Sequence, residues 1–198
     1  MASTWIQPTV LQGTHASLVP LERQHEQALC QAAADGQLWD LWYTSVPRPE
    51  GMAAEIERRL GLQAEGKMMP FTVCDASGRV VGMTTYMNVD APNRRVEIGY
   101  TWYRKGVQRT ALNTQCKRLL LAHAFEALDC IAVEFRTHRL NTQSRRAIER
   151  LGAQLDGILR AHQIGRGGVI RDTAVYSITA PEWPVVQQHL DFQLQRAR

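Results

Sequence analysis

Residues 96–126, VEIGYTWYRKGVQRTALNTQCKRLLLAHAFE, decide the fold. They read as a strand (96–103), an irregular basic loop, and a long amphipathic helix that runs on to about residue 128. In that helix Leu112, Leu119, Leu120, Ala122 and Leu128 form one wide apolar face that a sheet must cover. A strand that feeds a helix through such a loop leaves backbone N–H groups open at the helix start, where the dipole adds partial positive charge. The junction is an anion site of the kind that takes a pyrophosphate.

The flanking sequence supplies a sheet. PFTVC (70–74), the turn DASG (75–78) and RVVGMTTYMN (79–88) make a hairpin, and DAPNRR (90–95) turns the chain into the 96–103 strand. Upstream, residues 15–20 are a short strand, and 22–34 and 50–63 have helical apolar spacing. The stretch QLWDLWYTSVPRP (37–49) is too aromatic for a solvated linker and is expected to form a short helix and a loop folded over something. Downstream come a strand (130–137), a helix (141–151) stopped by Gly152, two strands (155–165 and 169–178) and a final helix. That order is α/β with a mixed sheet. The 96–103 and 130–137 strands, joined through a helix, should be parallel neighbours, with ligands at their carboxyl ends.

A chain of 198 residues suits one domain spanning 1–198, with residues 1–13 as a loosely committed arm and 181–198 as a C-terminal helix. A 44% hydrophobic fraction supplies a core of normal size without staples. No window is apolar for long enough to span a bilayer, and the first residues lack the basic and apolar regions of a secretory signal. A cytoplasmic protein without a membrane partner is expected. The net charge of +4 is dispersed, so no nucleic-acid tract stands out, though a nucleotide cofactor fits. Cys30, Cys74, Cys116 and Cys130 lie far apart and read as small buried hydrophobes, and the six histidines have no ligand spacing, so no metal is implied.

Several short stretches carry a family resemblance. They are Glu97-Ile98-Gly99-Tyr100, the run Gln108-Arg109-Thr110-Ala111-Leu112-Asn113-Thr114, Ala124-Phe125-Glu126, and Asn141-Thr142-Gln143-Ser144 with Ala147-Ile148. Leu151-Gly152-Ala153, Arg171-Asp172, Val175-Tyr176-Ser177 and Glu182-Trp183 follow in order. Each is weak; their order and spacing together resemble the GNAT N-acetyltransferase superfamily, and within it the RimJ/RimL-type ribosomal-protein-alanine acetyltransferases, over about residues 14–190. The superfamily loop pattern is Gln/Arg-x-x-Gly-x-Gly/Ala. Here Gly106 takes the first position, Arg109 the central glycine's and Ala111 the last.

The resemblance implies a mostly antiparallel sheet splayed at its parallel pair, acetyl-CoA as donor, and a primary amine as acceptor. The acceptor is a protein N-terminus or a small molecule, and dimerisation is left open. Cofactor contacts would come from Trp102, Tyr103, Gln108, Arg109, Thr110, Ala111, Leu112, Asn113 and Asn141. Arg109 is expected to bring its guanidinium to the phosphates. Glu97 would take the ammonium proton and Ser144 would protonate the thiolate, while Trp39, Trp42 and Tyr43 would wall the acceptor pocket. Plainer readings stand beside these: Glu97 as a structural acid, Asn141 as a helix cap, Ser144 as a solvated serine and the aromatics as core. His138 is the alternative base. A non-catalytic acyl-CoA-binding regulator is the reading from another functional class.

Overall fold

A computed structural model describes residues 5–196. Its strands are β1 (Leu11–Gln12), β2 (Ala16–Pro20), β3 (Met69–Asp75), β4 (Val80–Asp90), β5 (Arg95–Tyr103), β6 (Ala132–His138), β7 (Gln154–Ile164) and β8 (Ile170–Thr179). The helices are α1 (Glu26–Ala34), α2 (Met52–Ala64), α3 (Leu112–Ala122), α4 (Thr142–Glu149) and α5 (Trp183–Gln195). All eight strands join one sheet in the order β1-β2-β3-β4-β5-β6-β8-β7, antiparallel except for the β5–β6 pair. The mixed α/β class expected from the sequence is the one observed. Of the expected terminal segments, residues 1–4 and 197–198 lie outside the described residues.

Side-chain alternation divides the sheet into two faces. Val96, Ile98, Val133 and Phe135 look toward α3, α4 and α5, whose Leu112, Leu120, Ile148, Val186 and Leu190 share their core. Met83 and Trp102 look the other way, toward Leu29, Ala32, Met52 and Ile56 of α1 and α2. The β3–β4 turn is tied by Asp75, whose Oδ1 accepts from the N–H groups of Ser77 (2.9 Å) and Arg79 (3.1 Å).

Two local features differ from the sequence reading. The N-terminal arm is more committed than expected: Leu11 and Gln12 pair with β2 and Ile6 is buried. Two residues of strand are too short for a period-2 pattern to show. The helix expected over 112–128 is α-helical only to Ala122 and closes through a single π-turn, His123–Ala127. One π-turn at the end of a helix shifts the phase of the apolar stripe over too few residues for periodicity to reveal it.

The parallel pair is short. β5 and β6 are in register only from Arg95–Ala132 to Glu97–Glu134. Beyond that point β5 stays with β4 as far as Tyr103, opposite Gly82, and β6 stays with β8 as far as His138, opposite Thr173. The strands separate and leave a gap with an unpaired edge on each side. A bulge sharpens the separation: Thr85 pairs with Gly99 and Met83 with Trp102, giving β5 one extra residue, and Tyr100 takes φ of 47°. Gly82, opposite Tyr103 just past the bulge, has no room for a side chain, because a Cβ there would lie 2.1 Å from the Trp102 carbonyl oxygen.

Candidate active site

The loop between β5 and α3 is fastened at one end by Asp35, just past α1. The Asp35 carboxylate accepts from Arg104 Nε (2.8 Å) and from the Gly106 N–H (3.1 Å), and its backbone carbonyl accepts from the Lys105 N–H (3.1 Å). Those two donors to its carboxylate hold Asp35 below the usual carboxylate range. At the other end Thr110 Oγ1 donates to the Val107 carbonyl (2.8 Å) and accepts from the Leu112 N–H (3.2 Å). The first α-helical bond runs from Gln115 to the Ala111 carbonyl, so the amides before Gln115 point out of the helix start.

Arg109 sits in this loop with φ of 62°, the left-handed region that favours glycine. The backbone keeps the shape a glycine would give, and an arginine side chain is added to it. Hollows of about 320 and 360 Å³ flank the loop, one bordered by Gly36, Leu38, Lys105 and Gln108, the other by His15, Ser77, Thr110 and Leu112.

The gap between the strands shows particular backbone groups. The Arg104 N–H donates to the Val81 carbonyl (2.8 Å), and the Trp102 carbonyl is packed against Gly82. By alternation, Trp102's backbone faces β4, whereas those of Thr101 and Tyr103 face the gap. The sequence reading paired Trp102 with Tyr103; the strand presents Thr101 and Tyr103. The Tyr103 carbonyl accepts from Gln108 Nε2 (2.9 Å) in place of a strand partner. Beneath Thr101 lies Lys117, which is buried, with Nζ 2.8 Å from Thr101 Oγ1 and 3.4 Å from Thr84 Oγ1. Burial lowers its pKa to about 8.

Glu97 occupies the last paired position before the strands part, on the α1–α2 face and only 4% exposed. Its Oε2 accepts from Asn88 Nδ2 (2.7 Å) and lies 3.5 Å from Arg136 Nε. Burial raises its pKa, against the opposing pull of the Arg136 charge and the Asn88 bond. Glu134 and Arg136 of β6 and Arg171 of β8 belong to the same face by alternation, and Tyr100 shares it through its ring, which lies under Arg58 (5.3 Å) and Arg59 (5.1 Å) of α2.

The aromatic segment divides. Trp39 packs partly into the α1–α2 core, with Arg48 over its ring, as the core reading expected. Trp42 is 58% exposed and meets Tyr43 and His138 edge-on, with centroids 5.4 and 4.9 Å apart. The segment thus covers the carboxyl end of β6. His138 is committed there, since its Nδ1 accepts from the Leu140 N–H (3.0 Å) and burial lowers its pKa. Asn141 caps α4 through Oδ1 on the Ser144 N–H (3.0 Å). Because α4 packs on the α3 side, Asn141 and Ser144 approach the gap from the face opposite Glu97.

Sequence reasoning missed Asp35, Asn88, Arg136 and Lys117, which act through contacts 9–71 residues away in the chain. The one local signal was a buried-helix lysine next to Cys116. That thiol is inert, since burial pushes it up to about 12 and Cys130 likewise. Among the described residues no cluster of His, Cys, Asp or Glu could hold a metal ion, and no helix is long and apolar enough to cross a membrane.

Comparison with known proteins converges on one chemistry. Residues 16–154 match the family described as "Acetyltransferase (GNAT) domain". A GCN5-related N-acetyltransferase from Brucella melitensis of known structure is 30% identical, with a TM-score of 0.83 over 96% of this chain and 86% of that one. The Bacillus subtilis protein named "Putative ribosomal N-acetyltransferase YdaF" is 33% identical over 106 residues, 54% of this chain and 57% of that protein's length. Mycobacterium smegmatis RimJ, solved with CoA-disulfide, shares the fold, with a TM-score of 0.80 at 21% identity over 94% of this chain and 95% of that one.

Proposed function

Since the chain belongs to the GNAT acetyltransferase family, we propose that it carries the acetyl group of acetyl-CoA to the α-amine of a protein N-terminus in a direct ternary complex, in the cytoplasm. The observation that carries this reading is the gap between β5 and β6, with buried Glu97 at its apex and the α3 start at its mouth.

The residues present fit the donor. The outward amides of α3, with Thr110, Ala111, Leu112 and Asn113 around them, suit a pyrophosphate, and the Arg109 guanidinium adds charge. Gln108 shapes the loop by holding the Tyr103 carbonyl. The unpaired edge of β5 would hold the pantetheine arm as an added strand would be held, with Asn141 on the opposite side. Acetyl-CoA supplies the activated acyl group.

The chain's own residues do the rest. Glu97 takes the ammonium proton, directly or through water, so that the amine nitrogen can bond to the thioester carbon. The Thr101 and Tyr103 N–H groups face the gap where the oxyanion develops, above the buried Lys117. As the carbon–sulfur bond breaks, Ser144 returns a proton to the thiolate. Trp42 and Tyr43 form the acceptor-side wall, and Trp39 supports them from the core.

A peptide acceptor suits the open α1–α2 face beyond β6, and the YdaF and RimJ likenesses point the same way. The test is transfer from acetyl-labelled CoA to short peptides with free N-terminal alanine or serine, beside diamines and aminoglycosides. Peptide products are expected. Labelling of the small amines alone would move the enzyme to a small-molecule acceptor. Cofactor binding without transfer or thioester hydrolysis would make it a regulator.

A further inference from the structure

The acceptor face carries an arginine that the transfer chemistry does not use. Arg171, the second residue of β8, pairs with Gln163, and its stem passes 3.9 Å from where a Cβ of Gly165 would lie. β8 pairs with β6 through Thr173 opposite His138, so Arg171, two residues before Thr173 and on the same face, stands just past the carboxyl end of β6 at the mouth of the gap. Its Nε is buried with no hydrogen-bond partner among the described residues. Its neighbour Asp172 points to the other face and is engaged by Arg139 and the Ala161 N–H.

The surrounding charge is unbalanced. Arg58 and Arg59 share one carboxylate, that of Glu55, at 2.8 and 2.7 Å, and both guanidinium groups lie over the Tyr100 ring. Around the Tyr100 ring Arg58, Arg59 and Arg171 thus face the single carboxylate of Glu55, while Glu97 and Glu134 farther along the same face are already engaged by Arg136 and Arg95. An amine acceptor arrives as a cation, so this cluster repels it unless the acceptor brings a compensating anion.

On the reading that the acceptor is a peptide N-terminus, we propose that Arg171, with Arg58 across the Tyr100 ring, binds an acidic side chain of that peptide. Tyr100 lies three residues beyond Glu97 along β5, at most roughly 10 Å away at strand rise, since the bulge shortens the path. That span reaches the second or third side chain of an extended peptide and is too long for the α-carboxylate of a free amino acid. The site therefore selects N-termini with Asp or Glu at position two or three, and it disfavours polyamines.

The test uses peptide pairs differing only by Glu or Gln at position two or three, with free glutamate as a separate arm, on wild type, Arg171→Gln and Arg171→Lys. In wild type the Glu peptide should exceed its Gln twin by about tenfold or more in kcat/KM, mostly through KM, as a charge-assisted bond implies. Arg171→Gln should bring the ratio near one, and Arg171→Lys should keep part of it. Because each ratio is taken within one variant, partial unfolding cancels. Equal use of both twins by wild type, or an unchanged ratio in Arg171→Gln, overturns the subsite and leaves N-terminal transfer standing. Transfer to glutamate in preference to every peptide overturns the assigned distance. Transfer to no peptide overturns the N-terminal reading and the subsite with it.

Discussion

Glu97→Gln lowers kcat by about 10²–10⁴-fold while acetyl-CoA binding stays near that of wild type. The substitution preserves size and the Asn88 contact but removes the buried carboxylate at the point where β5 and β6 part; its cross-strand neighbour Glu134 is taken up by Arg95 and Arg136. The pH dependence follows from the causes of the shift. Burial raises the Glu97 pKa, and the base works ionised, so kcat/KM falls as the pH drops through a value above the ordinary glutamate range. The Asn88 bond pulls that pKa down, so Asn88→Ala should move the acidic limb to higher pH. Steady-state profiles of the three proteins test this. Wild-type turnover in Glu97→Gln across pH would remove Glu97 from the chemistry.

Glu55→Ala should cost about 3–5 kcal/mol of stability, because it strips a buried cation of its counter-charge. Arg59 is 1% exposed and depends on Glu55 (2.7 Å) and on Thr85 Oγ1 (2.6 Å). Arg59→Met, which removes the charge and keeps the volume, should be far milder. Burial pushes the Glu55 pKa up, but its two arginines outweigh this and hold it below the usual value. The pair's contribution is therefore present above the unfolded carboxyl pKa and is lost as the pH falls through the lower, folded value. Urea denaturation at neutral pH measures the difference. A loss below about 1 kcal/mol would mean that Arg59 finds solvent or another partner.

Much of this molecule is legible in one dimension. The strand, loop and helix of residues 96–126 are local features, set by apolar spacing and by the basic loop, and the parallel β5–β6 pairing follows from chain order and handedness. The strand that carries Glu97 is legible because the motif around it is contiguous in the chain. The tethers are different in kind. Asp35 meets Gly106 across 71 residues, and Arg59 meets Thr85 across 26, with no periodicity that announces either. The orientation of Trp102 was hidden by the bulge at Tyr100, which adds one residue and resets the alternation after it. Arg109 was legible as a departure, yet only the backbone shows that the loop keeps its glycine-like turn.

The central claim, that the unpaired edge of β5 and the α3 start together receive acetyl-CoA, is tested most directly by amide hydrogen exchange with and without saturating acetyl-CoA. Slower exchange at Thr101 and Tyr103 and across residues 110–114, with β3 unchanged, is the predicted result. Unchanged exchange at Thr101 and Tyr103 while the cofactor is bound would contradict it.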